Sequence, residues 1–197
     1  MRFADLDAVT LDVFGTLLTL REPVRALARA TAREESDVRR AFEEEMAYYR
    51  PRSHEGRDAE TLALLRADCT AVFNGALDTA LSPEEFVGAL EYQVLDGVPE
   101  TLAALRARGL ELAVVANWDY ALAEQLERVD LARYFSTVVT SAEGGAPKPD
   151  PQPFLLALER LRIDPGRALH VGDSREDEEG AAAAGMPFAW APLPALL

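Results

Sequence analysis

Five side chains stand out by type and placement: Asp12, Asn117, Lys148, Asp173 and Asp177. Of the 20 basic residues only Lys148 is a lysine; the rest are arginine. Genome composition can produce such a bias, because exposed arginine and lysine are nearly equivalent. In a tight site they are not, since an ammonium is a compact point charge with three rotatable donors. The lone lysine therefore marks itself as a site candidate. Asp173 and Asp177 suggest a hard cation with oxygen ligands, Mg²⁺ above all, with water and substrate in its remaining positions. A competing reading of Asp177 is a charge that favours a helix N-terminus.

The elements that must position these groups follow from periodicity. Asp7-Ala-Val-Thr-Leu-Asp-Val-Phe14 is apolar and β-branched apart from its acids, and Gly15-Thr16 breaks it, which predicts a buried strand ending near Asp12. From Pro23 to about Tyr92 the pattern is helical, with cap signals at Ser36-Asp37 and Ser82-Pro83-Glu84-Glu85, and no strand is evident. After Asp96-Gly97-Val98-Pro99 the chain alternates. A helix runs through Arg108, and a strand is expected over 110–116. Helix 119–128, strand 136–140, helix 151–161, strand 168–171, helix 176–184 and strand 187–190 follow. Strands separated by helices of ~10–15 residues predict an α/β fold, a Rossmann-like parallel sheet with helices on both faces. The all-helical block is then an inserted cap over 18–94, and the catalytic core comprises 1–17 and 95–197. The hinges fall near Leu18 to Arg21 and Gln93 to Asp96. In such a sheet, ligands sit outside the carboxyl ends of the strands. Those ends carry Asp12, Asn117, the loop of Lys148, and Asp173, so the polar residues converge on one place.

Composition sets the outer limits. At 197 residues, 49% hydrophobic and 27% charged, the chain suits one compact body with one appendage, not a disordered or fibrous class. A formal charge of −14 would repel a phosphate backbone, so nucleic acid is not an expected partner. No run approaches the ~20 apolar residues of a membrane span, and no signal peptide is evident, which makes the cytoplasm the expected address. The single cysteine, Cys69, cannot form an internal disulfide, in keeping with a reducing compartment, and reads as a helix-packing residue. A small anionic substrate and a monomer or homodimer are expected.

Four segments carry a family resemblance. Leu11-Asp12-Val13-Phe14-Gly15-Thr16-Leu17 resembles the first motif of the haloacid dehalogenase superfamily, and Val114-Val115-Ala116-Asn117 is similar to its second. Lys148-Pro149-Asp150-Pro151 resembles the third. Val171-Gly172-Asp173-Ser174-Arg175-Glu176-Asp177, with Gly180-Ala181 and Ala184-Gly185-Met186, resembles the fourth. They stand in family order over residues 6 to 190, with a helical insertion where the family places its cap. The resemblance implies a hydrolase in which Asp12 attacks phosphorus or an activated carbon to form a covalent aspartyl intermediate that water hydrolyses. Lys148 would stabilise negative charge in the transition state. Gly15 permits a tight turn, and Thr16 and Asn117 would hold substrate oxygens, although Asn117 also suits a helix cap. Asp12, the backbone carbonyl of Phe14, Asp173 and Asp177 would hold Mg²⁺. His54 and His170 carry no assigned role, His170 reading as a packed or supporting residue. Tyr48-Tyr49-Arg50-Pro51-Arg52 is assigned nothing, and Trp118 and Asp119 lie near the site by position.

Phosphatases of this family usually carry a second aspartate two residues after the nucleophile, as general acid for the leaving alkoxide. Phe14 stands there and can neither give nor take that proton, a contribution of ~10²–10⁴-fold. Ala116 likewise replaces a usual hydroxyl. An aromatic at position 14 resembles the metal-independent haloacid dehalogenases, whose halide needs no proton, but their fourth motif has Ser/Asn character rather than Gly-Asp. Three functions follow: a Mg²⁺-dependent phosphatase acting on a good leaving group, a metal-independent 2-haloacid dehalogenase, or a catalytically impaired binding or regulatory protein.

Overall fold

The computed structural model describes residues 5–196, so the first four residues of the expected core segment lie outside it. Five strands, β1 (Ala8–Leu11), β4 (Glu111–Ala116), β5 (Thr137–Thr140), β6 (Ala168–Gly172) and β7 (Phe188–Trp190), form one sheet in the order β5-β4-β1-β6-β7. Every pairing is parallel.

Alternation along the strands explains the layers, because successive side chains point to opposite faces. Val9 and Leu11 of β1, with Leu112, Val114 and Ala116 of β4, face α5 (Val98–Ala107) and α6 (Leu122–Arg128). Ala8, Ala113 and Val115 face α8 (Gln152–Leu161) and α9 (Arg175–Ala183) on the other side, where Phe154 and Ala181 meet them. Burying each such Leu or Phe contributes roughly 1.5–3 kcal/mol against chain entropy. The short α7 (Ser141–Gly144) follows β5.

The helical block comprises α1 (Pro23–Thr31), α2 (Glu35–Tyr49), α3 (Ala59–Leu77) and α4 (Pro83–Gly88). It has its own apolar cluster, in which Leu27, Val38, Phe42, Phe73 and Phe86 are buried together. The expected capping box at Ser82 is formed with Glu85. Ser36 and Asp37, by contrast, lie inside the first turn of α2, whose N-cap is Glu34.

The two junctions of the block differ from the sequence expectation. They pair as an antiparallel ribbon, β2 (Leu18–Leu20) against β3 (Tyr92–Val94), with Leu18 opposite Val94 and Leu20 opposite Tyr92. Three-residue strands separated by more than seventy residues leave no periodic signal in a local window; their pairing is made by the tertiary structure. The block also docks directly on the sheet's carboxyl edge. The Tyr49 hydroxyl donates to Asp119 Oδ2 at 2.8 Å, the Tyr120 amide donates to the Gly56 carbonyl at 2.9 Å, and the hydroxyls of Ser53 and Ser141 are 3.1 Å apart.

Candidate active site

β1 is the central strand, and Asp12 follows its last residue in the crevice where neighbouring connections diverge. Its carboxylate is almost wholly buried and accepts from Lys148 Nζ at 2.5 Å. The ammonium also donates to Asp177 Oδ1 at 2.5 Å and to the Val115 carbonyl at 3.1 Å. All three donors are thereby spent, which accounts for a lysine in a chain otherwise served by arginine: three acceptors converge on one nitrogen.

Lys148 is itself fixed through Asn117. The Lys148 amide donates to Asn117 Oδ1 at 2.6 Å, and Asn117 Nδ2 donates to the Lys148 carbonyl at 3.1 Å. The remaining amide hydrogen reaches Glu176 at 3.3 Å. Asn117, expected as a donor to substrate oxygens, is thus engaged with the chain, and only the Glu176 contact is loose enough to be exchanged for a ligand. The helix that follows begins at Leu122, five residues later, so Asn117 does not cap it.

Asp177 takes the helix N-terminus position of its second sequence reading. It completes a capping box with Ser174 at the start of α9, and its other oxygen meets Lys148 and His170. Since a carboxylate only accepts, His170 Nε2 carries the proton, and Nδ1 accepts from the Thr10 hydroxyl at 2.8 Å. His170 is fully buried, and that burial pushes its pKa down to about 4, so the ring is neutral. Burial alone would raise Asp177, but the His170 hydrogen bond and the Lys148 charge hold it well below the usual carboxylate range. Burial, against the pull of Lys148 and with the push of Asp177, raises Asp12 to about 6. Lys148 is held charged by the two aspartates despite its burial.

Asp173 stands exposed at the mouth of this cluster, where burial and the neighbouring Asp177 raise its carboxyl. One carboxylate oxygen each from Asp12, Asp173 and Asp177 lies within 4.8 Å of the others. Gly15 makes the approach possible: at a φ of 86°, a Cβ on it would sit 1.8 Å from Asp173 Oδ2. An all-oxygen donor set in a cradle that a single methyl would fill fits a small hard cation. A cation here would share the Asp177 carboxylate with Lys148. We expect Gly15→Ala to destabilise the fold by about 1–3 kcal/mol, from left-handed backbone strain and displacement of Asp173. Thermal unfolding checks this, and a wild-type midpoint would contradict the packing.

Thr16 is buried with its hydroxyl unpartnered. Phe14 is half buried and faces a cavity of about 1100 Å³ that extends from Asp12, Lys148 and Asp173 to the helical block. There the cavity meets residues to which sequence reasoning gave no role: Glu45, Tyr49 and Arg50 of α2, its C-cap and the turn beyond, Arg66 and Cys69 of α3, and Tyr92. Trp118 and Asp119 line it from the core side. Glu45 is buried, whereas Glu43 and Glu44 beside it are exposed. Its four-residue offset from Tyr49, one helical turn, was the available signal, but an acidic run normally reads as a solvated face.

The family model described as haloacid dehalogenase-like hydrolase matches residues 6–185. The mouse haloacid dehalogenase-like hydrolase domain-containing protein 3 is 36% identical over 200 residues, covering 90% of this chain and 78% of that protein. Phosphoglycolate phosphatase of Escherichia coli K12 is 46% identical over 91 residues, which is 46% of this chain and 36% of that one. The crystal structure of a HAD phosphatase from Thermococcus onnurineus superposes with a TM-score of 0.65 at 30% identity, covering 94% of this chain and 86% of the other.

Proposed function

The chain belongs to the haloacid dehalogenase-like hydrolases, and from that premise we propose that it is a Mg²⁺-dependent phosphatase acting on a small phosphorylated metabolite with a good leaving group. The observation that carries this reading is the buried Asp12–Lys148 pair at the crevice, beside the Gly15 cradle that receives Asp173. The Asp12 carboxylate attacks phosphorus, the P–O bond to the leaving group breaks, and water then cleaves the aspartyl phosphate to regenerate Asp12. Lys148 offsets the negative charge gathered around the transferring group. Thr16 offers its unpartnered hydroxyl to a substrate oxygen.

Asp12, the Phe14 carbonyl, Asp173 and Asp177 would hold Mg²⁺. When bound, the ion supplies charge neutralisation between the carboxylates and an anionic substrate. Phe14 directs the choice of leaving group: a phosphoanhydride or acyl phosphate departs without the proton an alkoxide needs. Among the described residues no helix is long and apolar enough to cross a membrane.

The test is phosphate release from acyl phosphates, phosphoanhydrides and alkyl phosphates, with Mg²⁺ and with a chelator. We expect acetyl phosphate turnover to be lost on chelation, and alkyl esters to react ~10²–10⁴-fold more slowly. The aromatic ring at position 14 favours one rival, a 2-haloacid dehalogenase. Halide release in chelator, without phosphate release from any ester, would establish that rival instead.

A further inference from the structure

Glu45 is the residue of the cavity that nothing in the hydrolytic machinery explains. It is 4% exposed, projects from α2 of the helical block, and lines the same cavity as Asp12. Its Oε2 is buried with no hydrogen-bond partner. A buried carboxyl oxygen without a partner costs stability wherever it stands, and such a group kept in a ligand cavity implies a partner that arrives with the ligand. We propose that Glu45 is the specificity residue of this site and takes a hydroxyl group borne by the leaving portion of the substrate. The assignment rests on the phosphatase reading for the identity of that substrate.

The surroundings favour a hydroxyl over an ammonium. The Cys69 thiol of α3 is a hydrogen-bonding neighbour, and the Tyr92 phenol is close enough to feel the carboxylate. Arg52 bears on Cys69, while Arg66 bears on Asp119 and Tyr92. Neither arginine is ion-paired with Glu45 among the described residues. Burial, partly offset by the Cys69 hydrogen bond, pushes the Glu45 carboxyl up to about 7; the group accepts when charged and can also donate when protonated. A hydroxyl can both donate to the carboxyl and accept from its protonated form, whereas an ammonium can only donate. Met46, Phe86 and Leu90 line the same cavity and supply apolar contact for the carbon skeleton that bears such a group.

The test compares phenyl phosphates matched in size, with hydroxyethyl, ethyl or aminoethyl substituents at the para or meta position. Wild type is expected to prefer the hydroxyethyl ester over the ethyl ester by at least about tenfold in kcat/KM. Glu45→Leu should erase or invert that preference, and Glu45→Gln should retain part of it. Without substrate, Glu45→Leu should raise the unfolding midpoint, because it removes an unsatisfied buried group; a carboxyl retained for structure would do the reverse. Equal hydroxyethyl and ethyl rates in wild type, a preference for the aminoethyl ester, or a lowered midpoint in Glu45→Leu would each overturn the proposal. If wild type released no phosphate from any ester, the phosphatase reading alone would fall. The Glu45 assignment would then be decided by whether the hydroxyethyl ester raises the wild-type midpoint more than the ethyl ester does.

Discussion

Asp12→Asn is expected to lower kcat by at least about 10⁴-fold while leaving the protein folded. The amide occupies the carboxylate's volume but cannot attack phosphorus, and no neighbouring group can take its place. Asp177 has both oxygens engaged by Lys148, His170 and Ser174. Asp173 projects from another strand end at the exposed mouth. Folding should survive because Lys148 keeps Asp177 and the Val115 carbonyl as acceptors. Burial already makes the ionised form of Asp12 costly, so the substitution removes a penalty together with an ion pair. The measurement pairs steady-state kinetics with thermal unfolding. Activity equal to wild type would remove Asp12 from the chemistry and with it the covalent mechanism.

The second large effect is expected at Lys148. Lys148→Met should lower kcat by ~10²–10³-fold through loss of transition-state charge stabilisation. It should also destabilise the fold by about 3–5 kcal/mol, because two buried carboxylates lose their counter-charge. Lys148→Arg should rescue neither property well. The three acceptors converge on a single nitrogen from Asp12, Asp177 and Val115, whereas a guanidinium spreads its donors over a flat fork. Adding Asp177→Asn to Lys148→Met should recover part of the stability without recovering turnover, which separates the structural loss from the catalytic one. An arginine variant with wild-type kcat/KM would refute this account of the lone lysine.

Much of the molecule was legible before any coordinates. The strands at 8–11 and 111–116 were readable as short apolar runs bounded by breaks, whereas the division of their side chains between two helical layers came from the sheet. The convergence of Asp12, Asn117, Lys148 and Asp173 was readable because a parallel sheet places every strand's carboxyl end on one edge. Individual roles were less legible. Asn117 reads as a ligand donor but pins both backbone groups of Lys148, a pairing across 31 residues that only the fold creates. His170 reads as a packed strand residue and is one, yet its ring also links Thr10 to Asp177. Glu45 lies within an acidic run whose other members face solvent, so nothing local singles it out.

The sequence by itself determined the α/β alternation, the helical insertion, the place of Asp12, the proposed nucleophile, after the first strand, and the absence of an acid at position 14. These depend on local period, on residue type, and on motifs whose residues are near neighbours in the chain. Tertiary structure alone decided what each polar group meets: the ribbon joining Leu18–Leu20 to Tyr92–Val94, the three acceptors around Lys148, the Gly15 cradle for Asp173, and the inward turn of Glu45. The physical reason is that a buried polar atom's role is set by its partners in space, and in this chain those partners come from strands, loops and helices far apart in sequence.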